Sequence, residues 1–262
     1  TAETWTPREC VMSDPVLCDY PYESNPWFPA ETGTLYNSMI YPVMPYGIAG
    51  CIWYQGEANV GRAAEYADLF QSLIQDWRDK WQNPEMPFYF VQLASYLERK
   101  EIQPDSEWAA LREAQNKALH LCNTGMAVAI DIGDANDIHP KNKQEVGRRL
   151  SLLALQKTYG KGKVTDIMSY KDYVVENDKV RLIFEGNTKG FQPSDLLTGF
   201  TIAGADHVFY PAKAQIKGNE LLVWSPDVSN PVAVRYGWAD NPDCNLYDRT
   251  GLPVAPFRTD CW

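Results

Sequence analysis

Two short polar clusters in this chain carry residue types able to do chemistry. One is Gln55-Gly56-Glu57 with Asn59, an amide, a glycine, a carboxylate and a second amide in close succession. The other is Asp134, Asn136, Asp137 and His139, which holds one of only three histidines in the chain. A histidine in an acidic turn suits a general base oriented by a carboxylate. The plainer alternatives are a turn that only caps the next helix, and a surface histidine in a helix-entry loop.

The elements that must position these clusters are legible from periodicity. Ile48, Cys51, Ile52, Trp53 and Tyr54 form an apolar, β-branched and aromatic run of strand length, which predicts a buried strand ending at Gln55. Residues 127–132 (AVAIDI) predict another, with Gly125 breaking the chain before it and His139 just beyond its end. FYFVQL at 88–93 predicts a third, with Gln92 at its functional end. Apolar residues at helical spacing over 63–81 predict an amphipathic helix packed on a sheet. Further helices are expected over 107–122 and 142–159, the latter with Pro140 suited to its first turn. Strands alternating with helices give right-handed crossovers and a parallel, doubly wound sheet. In such sheets ligands bind at the carboxyl ends of the strands, where both polar clusters fall.

Beyond residue 160 the texture changes. Short alternating runs at 179–184, 199–202, 207–210, 221–224 and 232–236, separated by Gly, Asn, Asp and Pro, predict an antiparallel, β-rich region, a small sandwich. The expected organisation is an irregular segment over 1–34, an α/β region over 35–160 and the β-rich region over 161–262. The aromatics of the first segment, Trp5, Tyr20, Tyr22, Trp27 and Phe28, either pin it to a core or offer flat faces to a sugar ring.

With 262 residues and 45% hydrophobic content the chain can bury a sizeable core. A net charge of −10 argues against a phosphate backbone or an anionic membrane as partner. No apolar run approaches the roughly 20 residues of a spanning helix. The six cysteines form no zinc-ligand spacing. Cys51 and Cys122 read as small buried thiols. Cys10 with Cys18 and Cys244 with Cys261 bracket irregular stretches where local disulfides would fit an extracytoplasmic protein.

Two blocks taken together carry a family resemblance. TLYNSMIYPVMPYGIAGCIWYQGEAN followed by AIDIGDANDIHPKNKQEVGRRL resembles the sialate O-acetylesterase-like family of the SGNH-hydrolase superfamily, which also includes acetylxylan esterases. WYQGEAN and DIHP in this order are specific, whereas either alone would be weak. The resemblance implies a flavodoxin-like α/β/α sandwich with a parallel sheet, and hydrolysis of O-acetyl esters on sugars by a Ser-His pair without a metal or other cofactor. His139 is then the base. The superfamily's supporting Asp stands three residues before its His, and here that position is Asn136. Glu57, matching the acid that related acetylxylan esterases use, is the first candidate to support His139, and Asp137 the second. Gln55 is the expected oxyanion donor with the Gly56 backbone beside it, and Asn59 is expected to bind substrate or complete the same hole.

The family's nucleophile lies in an earlier GQSN-like block on the first strand. No such block is present; Ser24, Ser38 and Ser95 are poor substitutes. The expectation is that the serine lies on an N-terminal portion upstream of Thr1, on the same or a separate polypeptide. Two other readings compete with the esterase: a non-catalytic carbohydrate-binding or interaction module, and a metal-dependent hydrolase built on Asp131, Asp134, Asp137 and His139. Arg112 is either a contact for a substrate carboxylate or a solvated, salt-bridged helix residue.

Overall fold

Helical and strand periodicities alternate through the first part of the chain, and these segments collect into one of two units in the computed structural model. The structure describes residues 1–18, 31–44, 46–162, 168–186 and 190–262. The first unit comprises Thr1–Leu93, Ala110–Ala127 and Val146–Gly162; the second comprises Ala94–Ala109, Val128–Glu145 and Lys163–Trp262. The division thus differs from a single boundary near residue 160: the loops that follow the second and third strands go with the β-rich tail.

In the first unit a short helix α1 (Arg8–Ser13) precedes β1 (Cys51–Trp53), α2 (Ala63–Lys80) and β2 (Phe88–Gln92). Helix α3 (Glu107–Lys117), β3 (Thr124–Val128) and α4 (Lys143–Leu153) follow. The sheet order is β1-β2-β3, and β1 pairs parallel with β2 from Cys51–Phe88 to Trp53–Phe90. Every residue of β2 is buried, as a strand covered on both faces requires. The apolar stripe of α2 buries Tyr66, Leu69, Phe70, Leu73, Ile74 and Trp77. Phe70 meets Trp53 at 6.2 Å and Phe90 at 5.1 Å, joining helix to sheet through aromatic rings. Each such buried side chain contributes about 1.5–3 kcal/mol.

The run ending at Tyr54 is buried on one face only: Trp53 lies in the core, but Ile52 is 67% exposed. Among the described residues β1 is an edge strand, and nothing covers its Ile52 face. Gly125 lies inside β3 and does not break the chain before it. A Cβ there would stand 3.0 Å from Tyr89 and 3.2 Å from Leu153, so the glycine permits close packing across the strand. The strand accordingly starts and ends earlier than the apolar pattern suggested, and the backbone turns where Ile132 N–H bonds Ala129 O at 3.2 Å.

Asp76 on α2 shows how burial couples this unit to pH. Desolvation pushes its carboxyl up to about 6; Lys80 opposes the shift, and Glu9 and Asp79 add to it. Its Oδ2 is buried without a hydrogen-bond partner among the described residues. A carboxyl raised on folding favours the native state below its unfolded value near 3.8, and this contribution is lost as pH rises through about 6. Asp76→Asn is therefore expected to raise the urea midpoint at pH 7.5 and to leave it unchanged near pH 3.5. Partial exposure and solvent screening limit the gain to about 1 kcal/mol.

In the second unit the tail forms two antiparallel sheets. One has the order β4-β5-β9-β8, from β4 (Ser169–Glu176), β5 (Lys179–Glu185), β8 (Lys213–Lys217) and β9 (Glu220–Trp224). The other has the order β11-β10-β6-β7, from β6 (Phe200–Ala203), β7 (Phe209–Pro211), β10 (Ala233–Tyr236) and β11 (Phe257–Arg258). Val180, Leu182, Leu221 and Val223 of the first share one core with Ile202, Val234, Tyr236 and Phe257 of the second, which makes a sandwich. Strands β4 and β8 escaped the sequence reading because each holds only exposed and partly buried residues. The six cysteines are free thiols, contrary to the expected local disulfides. Cys10 Sγ faces Ser72 O at 4.0 Å and Cys18 Sγ faces Pro15 O at 3.5 Å, two separate carbonyls.

Candidate functional site

In the first unit the polar turn follows β1 directly. Gly56 begins a short 3-10 turn over Glu57–Asn59, closed by Asn59 N–H to Gly56 O at 2.9 Å. A Cβ on Gly56 would lie 3.0 Å from Gln115 Nε2, 3.1 Å from Leu93 and 3.2 Å from Leu111, so the turn rests directly on α3 and the end of β2. Gln115 is fully buried. It donates to Gln55 O at 3.1 Å and Val91 O at 3.2 Å, and accepts from Leu93 N–H at 2.9 Å. One side chain thereby ties β1, β2 and α3 together at the carboxyl end of the sheet.

Gln55 itself is half-buried. Its Nε2 donates to Asn59 Oδ1 at 2.7 Å, and its Oε1 faces the Tyr66 hydroxyl at 3.4 Å. Asn59 is 0% exposed. Its Oδ1 also accepts from Ala2 N–H at 3.0 Å, and its Nδ2 donates to the buried Glu3 carboxylate at 3.0 Å. The place of Asn59 is thus inside the turn's support, where both ends of its amide are occupied, and not on an open surface. Glu57 lies on the 3-10 turn, partly exposed.

In the second unit the residues after β3 build a loop from side-chain caps. Asp134 Oδ1 accepts Asn136 N–H, and Asp137 Oδ1 accepts His139 N–H, each at 2.9 Å. Such Asx turns explain why Asp and Asn crowd this stretch. The His139 side chain is 86% exposed, with Nδ1 3.6 Å from Asp137 Oδ1. That distance is too long for a hydrogen bond. The Tyr247 hydroxyl donates to Asp131 Oδ2 at 3.2 Å and so holds the start of the loop to the irregular tail. Ser95 Oγ donates to Ile130 O at 2.6 Å from a buried position.

Gly133 lies against the Ser95 backbone. A Cβ there would fall well inside contact distance of the Ser95 carbonyl oxygen and nitrogen, and backbone cannot swing aside as a side-chain tip can. Gly133→Ala is expected to cost about 1–3 kcal/mol and to shift the loop carrying His139. Changed amide shifts through 131–139 in a folded variant would register the displacement; an unperturbed loop would refute it.

The expected site residues therefore fall into two groups, Gln55, Gly56, Glu57 and Asn59 in the first unit, and Asp137 and His139 in the second. Among the described residues no group of three or more His, Cys, Asp or Glu could hold a metal ion. Of the serines considered as nucleophile, Ser24 lies outside the described residues, as do Tyr20, Tyr22, Trp27 and Phe28. Ser38 Oγ donates to Thr34 O at 2.8 Å. Arg112 is not solvated: it is fully buried, with Nε donating to Leu93 O at 2.9 Å. Trp5 pins the N-terminal segment, accepting from Trp77 Nε1 at its carbonyl and meeting the Trp53 ring at 6.1 Å. Sequence reasoning missed Glu3 and the tie that Gln115 makes. Gln115 alone left a trace, as a polar residue on the buried side of an amphipathic helix.

Comparison with known proteins agrees with the two motif blocks. The family model described as carbohydrate esterase, sialic acid-specific acetylesterase, matches residues 23–156. Sialate O-acetylesterase of Mus musculus is 28% identical over 87% of this chain and 47% of its own length. That of Pongo abelii is 34% identical over 98% of this chain and 56% of its own. The crystal structure of a carbohydrate acetylesterase from Xanthomonas citri matches with a TM-score of 0.88 and 40% identity, covering all of this chain and 59% of the other. The chain thus spans about half the length of the curated relatives it matches.

Proposed function

This chain belongs to the carbohydrate esterase family of sialic acid-specific acetylesterases, and on that premise we propose that it supplies the base of an enzyme that hydrolyses O-acetyl esters on sugars. The observation that carries the reading is His139: an exposed imidazole beside the Asp137 carboxylate, on a loop built by side-chain caps, within the family's matched segment. In the proposed reaction a serine oxygen attacks the acetyl carbonyl carbon while His139 takes the hydroxyl proton. The imidazolium then protonates the departing sugar oxygen, leaving an acetyl-serine. Water, deprotonated by the same imidazole, releases acetate and restores the serine.

The supporting charge comes from Asp137, which stands beside the ring; Glu57 is the competing candidate. Gln55 has one Nε2 hydrogen committed to Asn59 and a second with no partner among the described residues, as an oxyanion donor requires. The nucleophilic serine is supplied by an N-terminal portion of the enzyme. This is supported by the relatives' greater length and by the exposed Ile52 of β1, an edge strand among the described residues. An extracytoplasmic site of action, periplasmic or secreted, suits an acetylated glycan as substrate.

Acetate release from an aryl acetate and from O-acetylated sialic acid, assayed with and without any N-terminal polypeptide that co-purifies, tests the reading. Turnover that appears only with that polypeptide supports it. Binding of the sugars without turnover in either preparation would favour a carbohydrate-binding module instead.

A further inference from the structure

The buried side chains beneath the Gln55–Asn59 turn form a directional relay. Glu3 has a side chain only 7% exposed and is acceptor-only when ionised. One carboxylate oxygen accepts from Asn59 Nδ2 at 3.0 Å, and the other faces Arg62 Nη2 at 3.4 Å. Asn59 must therefore present its NH2 end to Glu3. On its opposite side Asn59 meets Ala2 N–H, which can only donate, so the carbonyl end of the amide faces that way. With both ends fixed, Asn59 Oδ1 can only accept from Gln55, and it does so at 2.7 Å. The Gln55 amide is thus held with nitrogen toward Asn59 and oxygen toward the Tyr66 hydroxyl.

The orientation of a side-chain amide is ordinarily settled by whichever neighbours surround it. Here the chain of donors and acceptors begins at one charged group far away in the sequence. We infer that Glu3 is a positioning residue for the polar turn, acting through Asn59 to determine which end of the Gln55 amide is held inward and where its second Nε2 hydrogen points. The inference rests on the proposed oxyanion role of Gln55 for its catalytic consequence, but the relay itself does not. If Glu3 is lost, Asn59 Nδ2 loses the carboxylate acceptor that holds its NH2 end in place, a loss that favours reorientation of the amide. An Asn59 carbonyl that moves releases Gln55.

The test reads the amide directly. In the intact chain, selectively labelled with 15N-glutamine, one Gln55 Nε2 proton is expected to exchange slowly and the other fast. Glu3→Ala is expected to collapse this difference by about tenfold or more in exchange rate and to shift both proton resonances. Glu3→Gln, which keeps an acceptor oxygen for Asn59, is expected to restore them. Two equally fast protons in the unmodified chain, or a folded Glu3→Ala variant with Gln55 unmoved, would overturn the relay. The first of these readings needs no variant to fold. On ester turnover, Glu3→Ala is expected to lower kcat about tenfold with KM little changed, and Glu3→Gln to recover most of it. A Gln55 amide that responds as described while Gln55→Ala leaves turnover untouched would remove the oxyanion role and leave the relay standing.

Discussion

Replacing His139 with alanine is expected to lower acetyl-ester turnover by roughly 10³-fold or more and to leave the fold intact. The catalytic half of this expectation follows from the proposed role: without the imidazole, neither the attacking hydroxyl nor the hydrolytic water has a base. The structural half follows from the geometry. The side chain is 86% exposed, and the hydrogen bond that shapes its loop runs from the His139 peptide N–H to Asp137 Oδ1. Alanine keeps that N–H, so the Asx turn survives. The neighbouring carboxylate separates two effects. Asp137→Asn retains an oxygen to cap the turn but removes the charge 3.6 Å from the ring, and a loss of about 10- to 100-fold is expected. Asp137→Ala removes cap and charge together and should cost more. Glu57→Gln gives the comparison: a loss larger than that of Asp137→Asn would make Glu57 the supporting acid. Steady-state kinetics with unchanged circular dichroism check the series; retained turnover in His139→Ala would end the assignment.

The largest effect on stability is expected in the second unit, at Asp260. Its carboxylate meets the Arg235 guanidinium through two parallel bonds, 2.8 Å to Nε and 2.7 Å to Nη2. Both side chains are buried, 5% and 0% exposed. Arg235 also donates to Pro104 O at 2.8 Å, and its guanidinium lies 4.1 Å from the Phe209 ring centroid. Asp260→Ala leaves this cation in the protein without its counter-charge, a change that typically costs 3–5 kcal/mol, or roughly 10 °C in Tm. Arg258, 3.7 Å from the same carboxylate, loses a partner too, but it is more exposed and can turn to water. Urea unfolding is the measurement: a lower midpoint with an unchanged m-value shows lost stability without a changed denatured state. A shift below about 1 kcal/mol would mean that the pair's attraction only offsets its desolvation and that the guanidinium finds other acceptors. The double replacement Arg235→Met with Asp260→Leu should then be close to neutral, as it removes both buried charges.

Much of the candidate site was legible in the chain. Local pattern identified α2, β2 and α3, because a strand covered on both faces must be continuously apolar and a helix packed on a sheet must carry one apolar stripe; it placed β1 but not its exposed Ile52 face. The crowding of Asp and Asn before His139 marked a loop, and the structure shows why: their short side chains cap the backbone two residues on. The WYQGEAN and DIHP blocks pointed to the family that the comparisons found. What the chain could not show were interactions whose partners are far apart in sequence. Gly125 read as a breaker because its tight contact with Tyr89 and Leu153 exists only once three segments meet. Arg112 was open between a substrate contact and a solvated, salt-bridged residue, because composition does not reveal that the Leu93 carbonyl waits for it in the core. Asn59 read as a substrate contact or part of the oxyanion hole, and the sequence did not show that Ala2 and Glu3 fold onto both ends of its amide. Hydrophobic periodicity is a property of neighbouring residues and survives in the sequence. Hydrogen-bond satisfaction of a buried polar group depends on which distant donor or acceptor reaches it, and only the tertiary structure decides that.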